Sequence, residues 1–113
     1  MEGISKEFQE FNEYLQTYCI GERRAETSRE LAKEFGTEPE NIRLWVRTLR
    51  GWGSPICSGQ TGYYYAGSIR EVKKTVQWLG HLVTMISESR NNLVVAAIEN
   101  FDPASLGALF TEI

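Results

Sequence analysis

Apolar residues recur along this chain with two different periods, and the period changes at glycines and prolines. Ile4, Phe8, Phe11, Leu15 and Tyr18 follow steps of 4, 3, 4 and 3, with glutamates opposite. That spacing predicts an amphipathic helix over 4–19, and Gly21 fits its end. Thr27-Ser28-Arg29-Glu30 has capping-box spacing. The helix it opens turns Leu31, Ala32 and Phe35 inward and stops at Gly36. Thr37-Glu38-Pro39-Glu40 repeats the device, with Thr37 as the capping hydroxyl and a first-turn proline that needs no amide partner. The third helix, 38–51, buries Ile42, Val46 and Leu49, carries Trp45 on its flank, and ends at Gly51 and Gly53. A short capped helix, a glycine turn and a second capped helix make a helix-turn-helix. Ala32 is small enough to let the two helices cross closely.

The period then shortens to two. Residues 55–58 and 63–65 are short β-prone runs, with Gly59-Gln60-Thr61-Gly62 as the hairpin tip between them. Alternation sends Tyr63 and Tyr65 one way and Tyr64 the other. After Ser68, a plausible N-cap, Ile69, Val72, Val76, Leu79, Val83 and Ile86 step by 3, 4, 3, 4 and 3. That is a heptad stripe, widened by Trp78, Leu82 and Met85. The pattern lapses from Glu88 to Asn92. A separate short apolar helix is expected over 93–101, and Asp102-Pro103 opens a last turn. No internal repeat is visible. The expected fold class is mainly α with a small β-hairpin, divided into 1–67 and a helical extension, 68–113.

Charge alters this picture through its distribution. The net charge is −3 over 113 residues. Residues 1–22 carry one Lys and five Glu, and residues 79–113 carry one Arg and four acids. The middle, 23–78, holds ten Lys/Arg against six Glu. A basic centre between acidic ends points to a binding surface. No apolar run approaches the roughly 18 residues a spanning helix needs. The acidic, amphipathic N-terminus is no signal peptide, so the expected location is cytoplasmic, without membrane contact. Cys19 and Cys57 lie far apart at no metal spacing and are expected to be reduced thiols. His81 stands alone. One histidine and two distant cysteines assemble no catalytic set, phosphate loop or metal cluster, so neither an enzyme nor a cofactor is expected.

The segment TSRELAKEFGTEPENIRLWVRTLRGWGSPICSGQTGYYYA resembles the winged helix-turn-helix domain at the start of the biotin operon repressor. The shared features are a polar N-cap, the run xELAKxFG, apolar Ile42, Val46 and Leu49, then Leu-Arg-x-x-Gly, an apolar strand and a Gly-Tyr-x-x wing return. It is also similar to small winged-helix proteins of phages and prophages, in which a wing precedes a long helix. No ligase domain follows, so biotin chemistry is not implied. The resemblance implies double-stranded DNA binding, as a small transcriptional regulator or a phage-type replication accessory protein. The third helix would enter the major groove and the wing, 55–65, would lie on the backbone or minor groove.

On that reading Arg43, Arg47 and Arg50 form a stripe opposite the buried positions, suited to guanine edges and phosphate. Asn41 could read adenine. Thr27 and Ser28 could hold a phosphate at a helix start, while Gln60, Thr61 and an outward Tyr64 are the wing contacts. Arg23, Arg24, Lys73 and Lys74 are further phosphate candidates. The stripe Ile69, Val72, Val76, Leu79, Val83 and Ile86 either packs within one subunit or forms the seam of a homodimer, and the dimer is the expectation. The alternative function is a protein-binding module, an adaptor or inhibitor without DNA. It follows from the acidic total, the uncharged wing tip, and Glu38 and Glu40 at the start of the recognition helix. Neutralising pairs such as Glu40–Arg43 would favour it.

Overall fold

The computed structural model describes residues 6–111. It is mainly helical with one two-stranded antiparallel hairpin. The order is α1 (Lys6–Tyr18), a 3₁₀ turn (Glu22–Arg24), α2 (Ser28–Glu34), α3 (Pro39–Gly51), β1 (Ile56–Gly59), β2 (Gly62–Tyr65), α4 (Ile69–Asn100), α5 (Pro103–Leu106) and a closing 3₁₀ turn (Gly107–Phe110). The chain divides into two compact units, one ending at Gln77 and the other beginning at Trp78. The division lies ten residues beyond the one expected after residue 67.

In the first unit, α1 buries Phe11 and Leu15 completely. The next inward place goes to Cys19, while Tyr18, expected on this face, is 60% exposed and stacks near Tyr14. Steps of 3 and 4 from Leu15 both lie near one face, and the core takes the fourth residue. Ile4 lies outside the described residues. α2 opens with a complete capping box: Thr27 Oγ1 accepts from the Glu30 amide at 3.1 Å, and Glu30 Oε1 accepts from the Thr27 amide at 2.9 Å. It closes with Gly36 at φ +61°, where the Thr37 amide reaches back to Ala32 O at 2.9 Å. This is the left-handed helix ending that glycine accommodates best. At α3 the cap differs from expectation. Glu38 is the N-cap residue without a side-chain bond, and Pro39 holds the first position. The Thr37 hydroxyl instead accepts from Asn41 Nδ2 at 2.8 Å. The proline has no amide to cap, and one residue further out the hydroxyl meets a side chain.

Leu31, Ala32, Ile42, Val46, Leu49 and Ile56 join Phe11, Leu15 and Cys19 in one core. Phe11, Phe35 and Trp45 meet pairwise edge to face, with centroids 5.4 to 6.1 Å apart. This geometry aligns ring edges with ring faces and adds to the area buried.

The hairpin pairs Ile56 with Tyr65 and Gly59 with Gly62, leaving Gln60 and Thr61 as its tip. Ile56, Tyr63 and Tyr65 face the core. Cys57 and Tyr64 are buried on the other face, where Thr75 of α4 exchanges hydrogen bonds with the Ser58 backbone at 3.2 and 3.3 Å. The free edge of β2 is also occupied. The Tyr63 amide donates to Glu26 O at 2.8 Å, and the Tyr65 amide to Cys19 O at 2.8 Å. Gly62, at φ +122°, sits so close to this edge that a Cβ there would overlap the carbonyl of Glu26 and stand 2.6 Å from the Thr27 nitrogen.

Glu71 fastens the start of α4. Its carboxylate accepts from the Glu22 amide at 2.9 Å and the Gly67 amide at 2.7 Å, which holds it below its usual range. Lys74 reaches Glu22 at 2.7 Å.

In the second unit α4 continues unbroken to Asn100. The expected break between 88 and 92 is therefore absent, and 93–100 belongs to the same helix. Glu-Ser-Arg-Asn-Asn interrupts the apolar stripe without interrupting the backbone, because it holds neither glycine nor proline. Asp102 caps α5, accepting from the Ser105 amide at 2.9 Å, with Pro103 at the first position as anticipated. Ala97, Phe101, Leu106 and Leu109 line a shallow concavity beside α5. Among the described residues no helix is long and apolar enough to cross a membrane.

Candidate nucleic-acid interface

The face of α3 turned away from the core carries Glu40, Asn41, Arg43, Leu44 and Arg47, all exposed. It is positioned by Ile42, Val46 and Leu49, each at most 3% exposed, on the opposite side. A helix anchored by one apolar stripe presents the other stripe in a fixed orientation. Arg43 Nη1 lies 3.9 Å from Glu40 Oε1, and both side chains are more than half exposed. At that distance and exposure the pair is loose and easily exchanged for another anion. Arg47 is bound by no hydrogen bond or ion pair among the described residues.

Arg50 departs from the expected stripe. Its Nε donates to Ile56 O at 2.8 Å and its Nη2 to Ser58 Oγ at 3.1 Å. The guanidinium is partly buried, and desolvation draws its pKa down. It clamps α3 to β1 and cannot serve a groove at the same time. The step of three from Arg47 rotates the side chain towards the hairpin, which the helix pattern alone does not reveal.

Tyr64 is likewise not an outward wing residue. It is 2% exposed, covered by the start of α4, and burial raises its phenol pKa. Side chains alternate along β2 as expected, but both faces of the hairpin are covered. Gln60 and Thr61 remain exposed at the tip. Thr61 lines one open concavity with Arg23, Arg24 and Ala25, whose rim also includes Glu22 and Glu71. The tip and the two arginines of the 3₁₀ turn thus come together.

Thr27 and Ser28 are half-buried at the start of α2, and Thr27 is engaged in its capping box. The Glu30 carboxylate, held low by its bonds to Thr27, already supplies negative charge there. Asn41 is exposed, but Thr37 restrains its amide, and Glu7 and Glu10 line the neighbouring concavity. Lys73 is exposed, whereas Lys74 is committed to Glu22.

Two features escaped the sequence reading. Leu44 is 52% exposed in the middle of the α3 face, and its position outside the inward stripe was the available signal. Glu26 is the other. Its Oε2 accepts from Tyr14 Oη at 2.9 Å and from Cys19 Sγ at 3.1 Å, beneath the edge of β2. Burial, then this carboxylate, pushes the Cys19 thiol up to about 12 and raises Tyr14 as well. A thiol held protonated in the core is unreactive. Nothing foreshadows the trio in sequence, because Glu26 lies beyond the 3₁₀ turn and only the fold brings it back to Tyr14 and Cys19 at the end of α1.

Among the described residues no group of three or more His, Cys, Asp or Glu could hold a metal ion. Set against protein-family models, curated proteins and solved structures, the chain matches none.

Proposed function

We propose that the first unit is a winged helix-turn-helix that binds double-stranded DNA, with α3 in the major groove and the Gln60–Thr61 tip, with Arg23 and Arg24, on the backbone. The observation that carries this is Arg47, without a partner among the described residues, and Arg43, held only in a loose pair with Glu40, on the exposed face of a helix whose other face is locked into the core. Arginine on such a helix suits bidentate contact with guanine, and Leu44 between the two suits a thymine methyl. The role is that of a small transcriptional regulator or phage-type replication accessory protein, acting in the cytoplasm as a dimer joined through α4. Affinity is modest and its salt dependence shallow, because few cations face outwards.

The protein-binding alternative keeps one specific support. Glu40 lies beside Arg43, and Leu44 is an apolar patch between charges. Such a centre also suits a protein hot spot.

Selection from random duplex fragments at two salt concentrations, with sequencing of the bound pool, separates the readings. The DNA reading expects an enriched site whose binding falls with salt and is lost in Arg43→Ala/Arg47→Ala. Absence of binding at low salt, or binding that survives the double substitution, overturns it and directs the search to a protein partner.

A further inference from the structure

The stripe on α4 is open. Ile69, Val76, Val83 and Ile86 are each more than 60% exposed, and Leu93 is 71% exposed. We infer that this face is covered by the α4 helix of a second copy running antiparallel, with the two-fold axis between Thr84 and Met85. The inference rests on the dimer reading above and adds its orientation.

One observation permits that orientation and two select it. The first is overlap. α4 runs Ile69–Asn100, so its midpoint falls between Thr84 and Met85. About that point the stripe faces itself layer by layer: Val83 opposite Ile86, Val76 opposite Leu93, Val72 opposite Ala97. The self-complementary stripe and the helix share one centre, so antiparallel copies cover each other over their whole length, as an isologous pair requires.

The second is Arg90, which continues the steps of 3 and 4 beyond Ile86 and so sits on the seam. Parallel helices would set the two Arg90 side chains against each other at one layer. Antiparallel helices set each opposite Leu79 of the second copy, and separate the two arginines by 11 residues, about 16 Å along the axis. That exceeds the screening length of roughly 8–10 Å. The aliphatic stem can cover Leu79 while the head stays in water. In the single chain that head already turns aside, with Nη2 3.2 Å from Asn91 Oδ1.

The third is the charge at the two ends. Arg70 and Lys73, against Glu71, leave the start of α4 positive even with Lys74 paired to Glu22, and Glu99 with Asp102 makes its end negative. Parallel pairing stacks like on like at both ends, whereas antiparallel pairing sets opposite signs side by side. The flanks agree, because Gly80, Ser87, Ser89 and Ala96 are small and uncharged beside the seam, allowing close approach.

The test combines sedimentation equilibrium with spin-label distances in the full chain. Cys19 and Cys57 are buried, at 0% and 1% exposure, and the wild-type chain supplies the labelling background. Labels are placed singly at Thr84→Cys and Ile98→Cys, both exposed positions. The antiparallel pair predicts a dimer mass, a short distance between labels at 84, and a distance of about 40 Å or more at 98, since Ile98 lies 27 residues along from its image. A dimer with short distances at both positions means parallel helices and overturns the orientation alone. A dimer with a long distance at 84 puts the seam elsewhere. A monomer at micromolar concentration overturns the pairing reading itself.

Discussion

The two units use apolar residues in opposite ways. Up to Gln77 the inward stripes of α1, α2, α3 and β1 meet in one core, and Phe11, Leu15, Leu31 and Ile42 have no exposed surface. From Trp78 onward Val83, Met85, Ile86, Leu93, Val95, Ile98, Phe101 and Phe110 are all at least half exposed. The first unit closes its own core because its helices turn back at glycines and cross one another. The second is the remainder of one long helix and two short turns, with too few elements to cover its stripe. A lone helix in water gains little without packing on its apolar face. The contrast teaches that the first unit covers its own apolar stripes, while the second leaves its stripe exposed.

Substitutions break this contrast at different strengths. Gly62→Val should have the largest effect, about 3 kcal/mol or more, because it adds backbone strain to an overlap with the Glu26 carbonyl. Urea unfolding of the first unit would show it, and a near-native midpoint would mean that the β2 edge is not paired with Glu26. Val76→Asp/Val83→Asp strikes the open stripe of α4 on either side of the division. It should weaken self-association at least 100-fold, roughly 2.7 kcal/mol, and leave the unfolding midpoint of the first unit in place. A dimer that persists in sedimentation would move the interface off this stripe.

Two neighbouring arginines sharpen the comparison within the first unit. Arg50→Ala should cost about 1.5–3 kcal/mol of stability, through loss of charged hydrogen bonds to Ile56 and Ser58. Arg47→Ala should leave stability within about 0.5 kcal/mol and lower specific DNA affinity by about 1–3 kcal/mol. Equal melting of the two variants would show that the clamp does not hold α3 to β1.

The smallest effect concerns acid. Glu71 is held below its ordinary value near 4.5 by the amides of Glu22 and Gly67. A depressed carboxylate contributes stability that is complete above the unfolded value and is lost as pH falls through the folded one. Glu71→Gln should therefore melt lower than wild type at pH 7, and the gap should close below about pH 4. A gap that is constant with pH would assign the effect to packing.

Much of the first unit is legible in the sequence because its signals are local. The Thr27 capping box, the turn at Gly36, Pro39 at the start of α3 and the alternation of Tyr63, Tyr64 and Tyr65 each depend on residues within a few positions. That both faces of the hairpin are covered is not legible. Tyr64 is covered from α4, where Thr75 stands eleven residues and a helix start away. Arg50 left the exposed stripe because β1 returns beside the end of α3. The continuity of α4 through 88–92 is illegible for a different reason, since a lapse in hydrophobic period need not be a lapse in backbone.

The sequence by itself determined the order of the main elements as far as the hairpin, the caps of α2 and α5 and most of the faces that are buried, since helix and strand periods follow from backbone geometry alone. Only the tertiary structure decided which charged and aromatic side chains stay free. That outcome depends on which distant segment arrives to cover them: Arg43 and Arg47 meet no such segment, Arg50 and Tyr64 do, and the stripe on α4 is left bare.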